Sequence, residues 1–108
     1  GAAEAAVGYL TRALAEQVDP LVRTEVLVEL GLAERRTNGP AAADHLRAGL
    51  KLLGDSTRRC AVALELGRAL WQVGRWPEAA VQAQRARELG VIDPFLVQRL
   101  TEVGVLDP

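Results

Sequence analysis

The sequence predicts an all-α protein of about six helices, arranged as antiparallel hairpins that stack into a right-handed array. Apolar residues make up 49% of the 108 residues and aromatic residues only 4%. Alanine and leucine, which favour helix, dominate the apolar set. Apolar positions recur at helical spacing, and no long stretch alternates with the period of a strand. Prolines and glycines divide the chain into segments of helical length, and the short connections favour antiparallel neighbours.

The predicted helices begin at prolines and capping residues. Four of the five prolines stand where a helix should start, because the missing N–H of proline costs nothing in the first turn. Asp19 and Asp93 each precede one of these prolines, and Asp55 precedes Ser56, so each carboxylate is placed to cap a helix. The predicted helices span residues 3–17, 20–36, 40–53, 56–73, 77–89 and 94–103.

Glycines mark the predicted helix ends. Each of five glycines follows a helical pattern and suits the left-handed residue that commonly follows a helix. They are Gly39, Gly54, Gly74, Gly90 and Gly104.

Composition and charge exclude several classes of protein. The high apolar content and the net charge of -1 exclude disorder and argue against non-specific nucleic-acid binding. Cys60 is the single cysteine, so the chain is not a disulfide scaffold, and no charge-free stretch is long enough to span a membrane. We expect His45 to face solvent and Cys60 to be a partly buried thiol, with no enzyme activity, cofactor or metal site.

The chain contains an internal repeat. Residues 28–31 (Val-Glu-Leu-Gly) recur as residues 64–67 (Leu-Glu-Leu-Gly), 36 positions later. Pro40, which opens one helix, is matched by Pro77 in the next unit. This period is close to that of helix–turn–helix repeats of about 34 residues. We therefore divide the single domain, residues 1–108, into the second helix of a partial repeat, two repeats, and a capping or continuing helix. Their ranges are 3–17, 20–54, 56–90 and 94–103.

The second unit resembles the tetratricopeptide (TPR) family. The matching positions are Leu66, Gly67, Leu70, Gly74, Glu78, Ala79, Ala83, Ala86, Asp93 and Pro94. The first unit departs from the family pattern, because Glu34 stands where a large residue is expected. The resemblance implies a right-handed TPR-like solenoid.

The amino-acid sequence of the repeats also resembles the helical-repeat region of large ATP-binding transcription regulators of the LuxR type. The segments that carry this resemblance are 45–48, 50–55, 63–70 and 74–80. In that family a nucleotide-hydrolysing module precedes the repeats and a helix-turn-helix domain follows them. Neither a phosphate-binding loop nor a basic recognition helix occurs in these 108 residues.

The resemblance implies a non-catalytic protein-interaction or coupling segment of a bacterial, cytoplasmic transcription regulator, and we expect the chain to be a fragment of that larger protein. Two alternatives remain open. One is a TPR adaptor that binds a peptide and is unrelated to transcription. The other is a regulatory helical domain attached to an enzyme.

TPR alignment places a partner groove on the first helix of each repeat. Arginines, a tryptophan and aliphatic residues together are typical of interaction hot spots and suit an acidic or C-terminal peptide, although an ordinary solvated helix face would look similar. The groove residues are Val28, Leu32, Arg35, Arg36, Leu64, Arg68, Trp71 and Gln72. The expected partner is a protein, a peptide or another domain of the same chain, with no direct nucleic-acid or membrane contact. The apolar stripe of residues 3–17 also predicts self-association, unless neighbouring chain covers it.

Overall fold

The structure, a computed structural model, describes residues 1–16 and 19–108, and these form six α-helices and no strand. The helices are α1 (Ala2–Glu16), α2 (Pro20–Glu34), α3 (Gly39–Leu52), α4 (Ser56–Gln72), α5 (Trp76–Glu88) and α6 (Pro94–Glu102). The all-α prediction is confirmed, with bounds within one or two residues of those expected. The predicted end of the first helix, residue 17, lies outside the described residues. None of the described helices is both long and apolar enough to cross a membrane.

The predicted helix starts are confirmed. Asp19, Asp55 and Asp93 cap α2, α4 and α6, each accepting a hydrogen bond from a backbone N–H of the first turn. Asn38 caps α3 in the same way. These bonds satisfy N–H groups that have no carbonyl partner within their own helix.

The predicted role of the glycines holds at three of five positions. Gly74, Gly90 and Gly104 adopt φ of 81°, 85° and 81°, and the residue after each donates its N–H to a carbonyl of the preceding turn. Gly39 and Gly54 do not adopt the left-handed conformation. Gly39 is instead the first residue of α3, because Asn38 takes the capping position before it.

Each helix packs against the next one along the chain, and α6 also contacts α4. The molecule is elongated, with extents of 43 × 30 × 18 Å. Leucines of four helices form the centre of the core. The largest fully buried leucines are Leu30, Leu46, Leu66, Leu70 and Leu100.

Gly31 and Gly67 lie at helix contacts of different tightness. A Cβ atom on Gly31 would lie 2.6 Å from Cγ of Leu46 and 3.1 Å from the carbonyl oxygen of Ala42. A Cβ atom on Gly67 would lie 3.1 Å from Cδ2 of Leu96 and 3.7 Å from the carbonyl oxygen of Ala79. Gly31 therefore allows α2 to approach α3 closely, whereas a Cβ on Gly67 would be tight only against the end of the Leu96 side chain and in ordinary contact with α5.

Candidate interaction site

The structure places two of the eight predicted groove residues in the interior. The exposed fraction is 1% for Val28 and 7% for Leu64, so Val28 offers no surface to a partner, and Leu64 reaches the surface only where it lines a depression with Arg68. Val28 lies against α3, where a Cβ on Gly49 would come within 2.9 Å of its Cγ2. Leu64 packs with Cys60 and Ala86. The physical reason is that α2 and α4 each pack between two other helices. These neighbours cover more of the surface of α2 and α4 than the TPR alignment predicted.

Two of the predicted groove arginines form ion pairs within the chain. Glu65 Oε2 lies 2.7 Å from Nη1 of Arg35, and Glu65 Oε1 lies 2.6 Å from Nη1 of Arg68. Nε of Arg68 lies 2.7 Å from Oδ2 of Asp93. The four alternating charges join α2, α4 and the start of α6. Because both guanidinium groups are neutralised in this way, the structure offers no free arginine pair at these positions for an acidic peptide.

The contact between Arg68 and Asp93 shifts the titration of both groups. Partial burial acts to raise the pKa of Asp93, but hydrogen bonds from Arg68 and from the backbone of Leu96, with the positive charge of Arg68, hold that pKa below its ordinary value. Burial acts to lower the pKa of Arg68, and its bond to Asp93 and the charge of Glu65 raise it overall. The pair is therefore fully ionised at neutral pH.

The remaining groove residues have different surroundings. Leu32 packs against the core and is half-buried. Arg36 is exposed and forms no ion pair within the described residues. Trp71 is half-buried and Gln72 is exposed.

Trp71 and Gln72 lie at a cleft between α4 and α6. Its volume is about 210 Å³. The indole of Trp71 and the side chains of Phe95 and Leu96 form its apolar walls, and the Arg68–Asp93 pair lines it as well. We call this feature the α4–α6 cleft, lined by Arg68, Trp71, Gln72, Asp93, Phe95 and Leu96.

The aromatic walls of the cleft are held in place from outside it. The rings of Trp71 and Trp76 stack with centroids 5.2 Å apart and planes at 25°, and Nε1 of Trp76 donates to the carbonyl oxygen of Trp71 at 3.2 Å. The guanidinium of Arg99 lies 4.8 Å from the ring centroid of Phe95, within the range of a cation–π contact. These contacts favour this arrangement of the two rings in the free chain.

Three cleft residues were not among the predicted groove residues, namely Asp93, Phe95 and Leu96, and Phe95 is the exposed aromatic one. It follows Pro94 at the start of α6, and its side chain is 61% exposed. Leu96 and Leu100 bury the core face of α6, so Phe95 falls on another face. An aromatic residue off the core stripe of a short amphipathic helix was the available signal.

His45 faces solvent only in part, with 31% of its side chain exposed. Its Nδ1 lies 2.5 Å from Oε1 of Glu34, and the imidazole donates to a carboxylate whose residue is only 6% exposed. Cys60 is buried. Within residues 1–16 and 19–108, no three His, Cys, Asp or Glu side chains lie close enough together to hold a metal ion.

Comparison of the chain with protein-family models, curated proteins and solved structures gives no match. The TPR and LuxR-type resemblances therefore rest on the residues quoted above.

Proposed function

We propose that this chain is a non-catalytic protein-interaction or coupling segment, and that its α4–α6 cleft seats one apolar side chain of a protein partner. The observation that carries the proposal is the cleft itself. It has two aromatic walls, one of them the 61% exposed Phe95. Binding energy at protein interfaces concentrates where one side chain fills a pocket of this kind.

The shape of the cleft favours binding because little of it has to be ordered on association. Trp71 is fixed by its stack on Trp76, and Phe95 is held beside Arg99. Immobilising a flexible side chain at an interface costs about 0.5–1.5 kcal/mol, so walls that are already fixed avoid this loss. Burial of an apolar side chain then contributes roughly 25 cal/mol per Å² of apolar area removed from water.

The polar groups of the cleft indicate what flanks the apolar side chain. Gln72 offers an amide that can donate and accept, which suits the peptide backbone of a partner. Arg68 and Asp93 neutralise each other across 2.7 Å. This pair adds no net charge to the cleft. We therefore propose that the partner segment has one apolar anchor and no charged side chains beside it, in place of the acidic peptide expected from the sequence.

The wider setting of the segment is part of the proposal. The internal repeat and the glycine contacts of Gly31 and Gly67 support a TPR-like solenoid. The LuxR-type resemblance supports a coupling role in a bacterial, cytoplasmic transcription regulator, where the partner is another domain of the same chain. An adaptor unrelated to transcription and a regulatory domain of an enzyme are the alternatives. The adjoining reading frame separates them, because only the regulator has a phosphate-binding loop before the repeats and a helix-turn-helix domain after them.

Peptide selection tests the binding function directly. The chain is used to select binders from a random peptide library, and the affinities of the selected peptides are measured by calorimetry. We expect the peptides to share one large apolar residue, and Phe95→Ala to weaken binding at least tenfold, which is about 1.4 kcal/mol. Tyr9→Ala is the matched control, because Tyr9 is 67% exposed and lies on α1. Failure to select any binder, or equal effects of the two variants, would refute the proposal.

A further inference from the structure

The helices α1, α3 and α5 share one sequence register. Each carries an alanine near its start, and the equivalent alanines are Ala6, Ala42 and Ala79. Three positions after these alanines stand Tyr9, His45 and Gln82. Because repeated helices place equivalent residues on the same side, the surroundings of these residues can be compared from helix to helix.

In α3 and α5 this side of the helix faces the helix that precedes it in the chain. His45 of α3 contacts Glu34 of α2. In α5, Cβ of Gln82 would lie 3.5 Å from a Cβ added to Gly67 of α4. The equivalent alanines of α3 and α5 are fully buried. The preceding helix therefore covers this side of both helices.

The same side of α1 is uncovered, and no helix precedes α1 within residues 1–16. Tyr9 is 67% exposed, whereas Gln82 at the equivalent position of α5 is 2% exposed. Leu10 and Ala13 are half-buried, although their equivalents in α3 are buried, and Ala6 is half-buried as well. We call this surface the α1 face, formed by Ala6, Tyr9, Leu10 and Ala13.

α6 has the complementary property, because it lacks a helix on the side where α4 has α5. In α4, Gly67 faces α5 and directly follows the buried Leu66. In α6, Thr101 directly follows the buried Leu100, and Val97 lies one turn before Thr101. Both Val97 and Thr101 are half-buried, and no helix follows them in residues 103–108. We call this surface the α6 face, formed by Val97 and Thr101.

We propose that the α1 face of one copy of the chain packs on the α6 face of a second copy, head to tail. The contact would repeat between copies the packing of α3 on α2 and of α5 on α4 within one chain. The occupant is a second copy because α1 has the register of the helices that pack on α2 and α4. The two faces differ, so each copy keeps one free face after pairing and the association is heterologous.

The chemistry of the two faces suits burial between copies. None of their residues carries a charge, so the contact leaves no unpaired charge away from water. The hydroxyl of Thr101 already donates to the carbonyl oxygen of Val97 at 2.7 Å. The inference is independent of the α4–α6 cleft, whose lining contains no residue of either face.

Two variants, each with one face blocked by a charge, test the pairing. Tyr9→Glu blocks the α1 face and Val97→Glu blocks the α6 face. In sedimentation equilibrium at millimolar concentration, the wild-type mass should exceed the 11.6 kDa of one chain, and each variant alone should stay monomeric. An equimolar mixture of the two variants should approach twice the mass of one chain and go no further, because one intact face of each kind remains.

Three results would overturn the proposal. A wild-type chain that stays monomeric shows that the faces do not pair. A Val97→Glu protein that associates like the wild type places the contact between two α1 helices. A mixture of the two variants that stays monomeric shows that the α1 face and the α6 face are not partners.

Gln98→Glu is the matched control for Val97→Glu. The side chain of Gln98 is exposed and donates to Glu102, outside the α6 face, so this variant should associate like the wild type. A loss as large as that of Val97→Glu would contradict the assignment. Thermal unfolding checks that each variant folds, and Thr101→Glu blocks the same face if Val97→Glu does not fold.

NMR titration of one variant with the other locates the contact. When unlabelled Tyr9→Glu is added to ¹⁵N-labelled Val97→Glu, the backbone signals of α1 should shift saturably. With the labels exchanged, the signals of α6 should shift instead. Shifts of the same helix in both experiments, or of neither helix, would contradict a head-to-tail contact.

Discussion

The Glu34–His45 pair shows how one residue departs from the pattern of its repeat. Glu34 stands one repeat, 36 positions, before Leu70, which is fully buried. The carboxylate occupies a buried position and His45 supplies its hydrogen bond across the α2–α3 contact. A buried charge is tolerated only with such a partner. The two residues therefore act as a unit.

Removal of His45 alone should be costly. His45→Ala leaves the Glu34 carboxylate buried without its donor, and we expect a loss of about 2 kcal/mol of unfolding free energy. Asp44→Ala, at the exposed neighbouring position, is the control and should have little effect. The double variant Glu34→Leu with His45→Ala should recover most of the loss, because a buried apolar side chain at position 34 needs no hydrogen-bond partner. Chemical denaturation measures all three, and a double variant no more stable than His45→Ala would refute this account.

The two close-contact glycines should respond differently to an added methyl group. Gly31→Ala places Cβ against Cγ of Leu46 and the α3 backbone, and such overpacking costs roughly 1–3 kcal/mol. Gly67→Ala is tight only against the terminal methyl of Leu96, at 3.1 Å, with Gln82 and Ala79 in ordinary contact, and alanine gains about 1 kcal/mol of helix propensity. We expect thermal unfolding to give a lower melting temperature for Gly31→Ala and an unchanged or higher one for Gly67→Ala. The reverse order would contradict the helix contacts described here.

At the scale of the element, α6 depends on its first residues for its position. Asp93 caps α6 through Leu96 and is also the ion-pair partner of Arg68 on α4. A single carboxylate thus starts the helix and attaches it to its neighbour. Because Phe95 and Leu96 follow immediately, the same contact fixes one wall of the α4–α6 cleft.

Acid should weaken the attachment of α6. The pKa of Asp93 in the folded chain lies below its ordinary value of 3.8, so its contribution to stability is complete above that value and is lost as the pH falls through the lowered pKa. Asp93→Asn keeps a capping side chain but has no charge to titrate. The wild-type chain should be the more stable at pH 7, and the difference should shrink below about pH 4. Denaturation curves across this range check the prediction, and a constant difference would contradict it.

At the scale of the whole molecule, several of the exposed large apolar side chains fall in two parts of the chain. One comprises Tyr9 on α1 with Leu21 and Val22 at the start of α2, and the other is the connection between α5 and α6. Of the described α1 residues, none is fully buried. The apolar stripe of residues 3–17 that predicts self-association is described to residue 16; its members Ala6, Val7, Leu10 and Leu14 are half-buried, and Tyr9 on the same helix is exposed.

Self-association through α1 can be measured in solution. We expect the weight-average mass in sedimentation equilibrium to rise reversibly as the chain approaches millimolar concentration, because apolar side chains exposed on a helix can be buried in a contact between copies. Tyr9→Glu should reduce this rise. Gln98→Glu makes the same change of charge on the exposed side of α6 and should not. A monomer at every concentration would refute the prediction.

Most of the helix boundaries could be predicted, because a helix start or end depends on residues that are neighbours in the sequence. The Asp-Pro pairs and the glycines Gly74, Gly90 and Gly104 identified starts and ends that the structure confirms. The site was predicted less well. Helical spacing shows which residues share a face, but the tertiary packing decides whether that face is covered, as at Val28 and Leu64. For the same reason, the sequence did not predict that Glu34 contacts His45, or that Trp71 and Phe95 line the same cleft.

The most direct test of the central claim is the position of a selected peptide on the chain. Isotope-filtered NOE measurements between the labelled protein and an unlabelled peptide report which side chains touch. We expect one apolar side chain of the peptide to contact both the indole of Trp71 and the ring of Phe95. A bound peptide whose contacts all lie on other helices, with none to these two rings, would contradict the assignment of the α4–α6 cleft as the partner site.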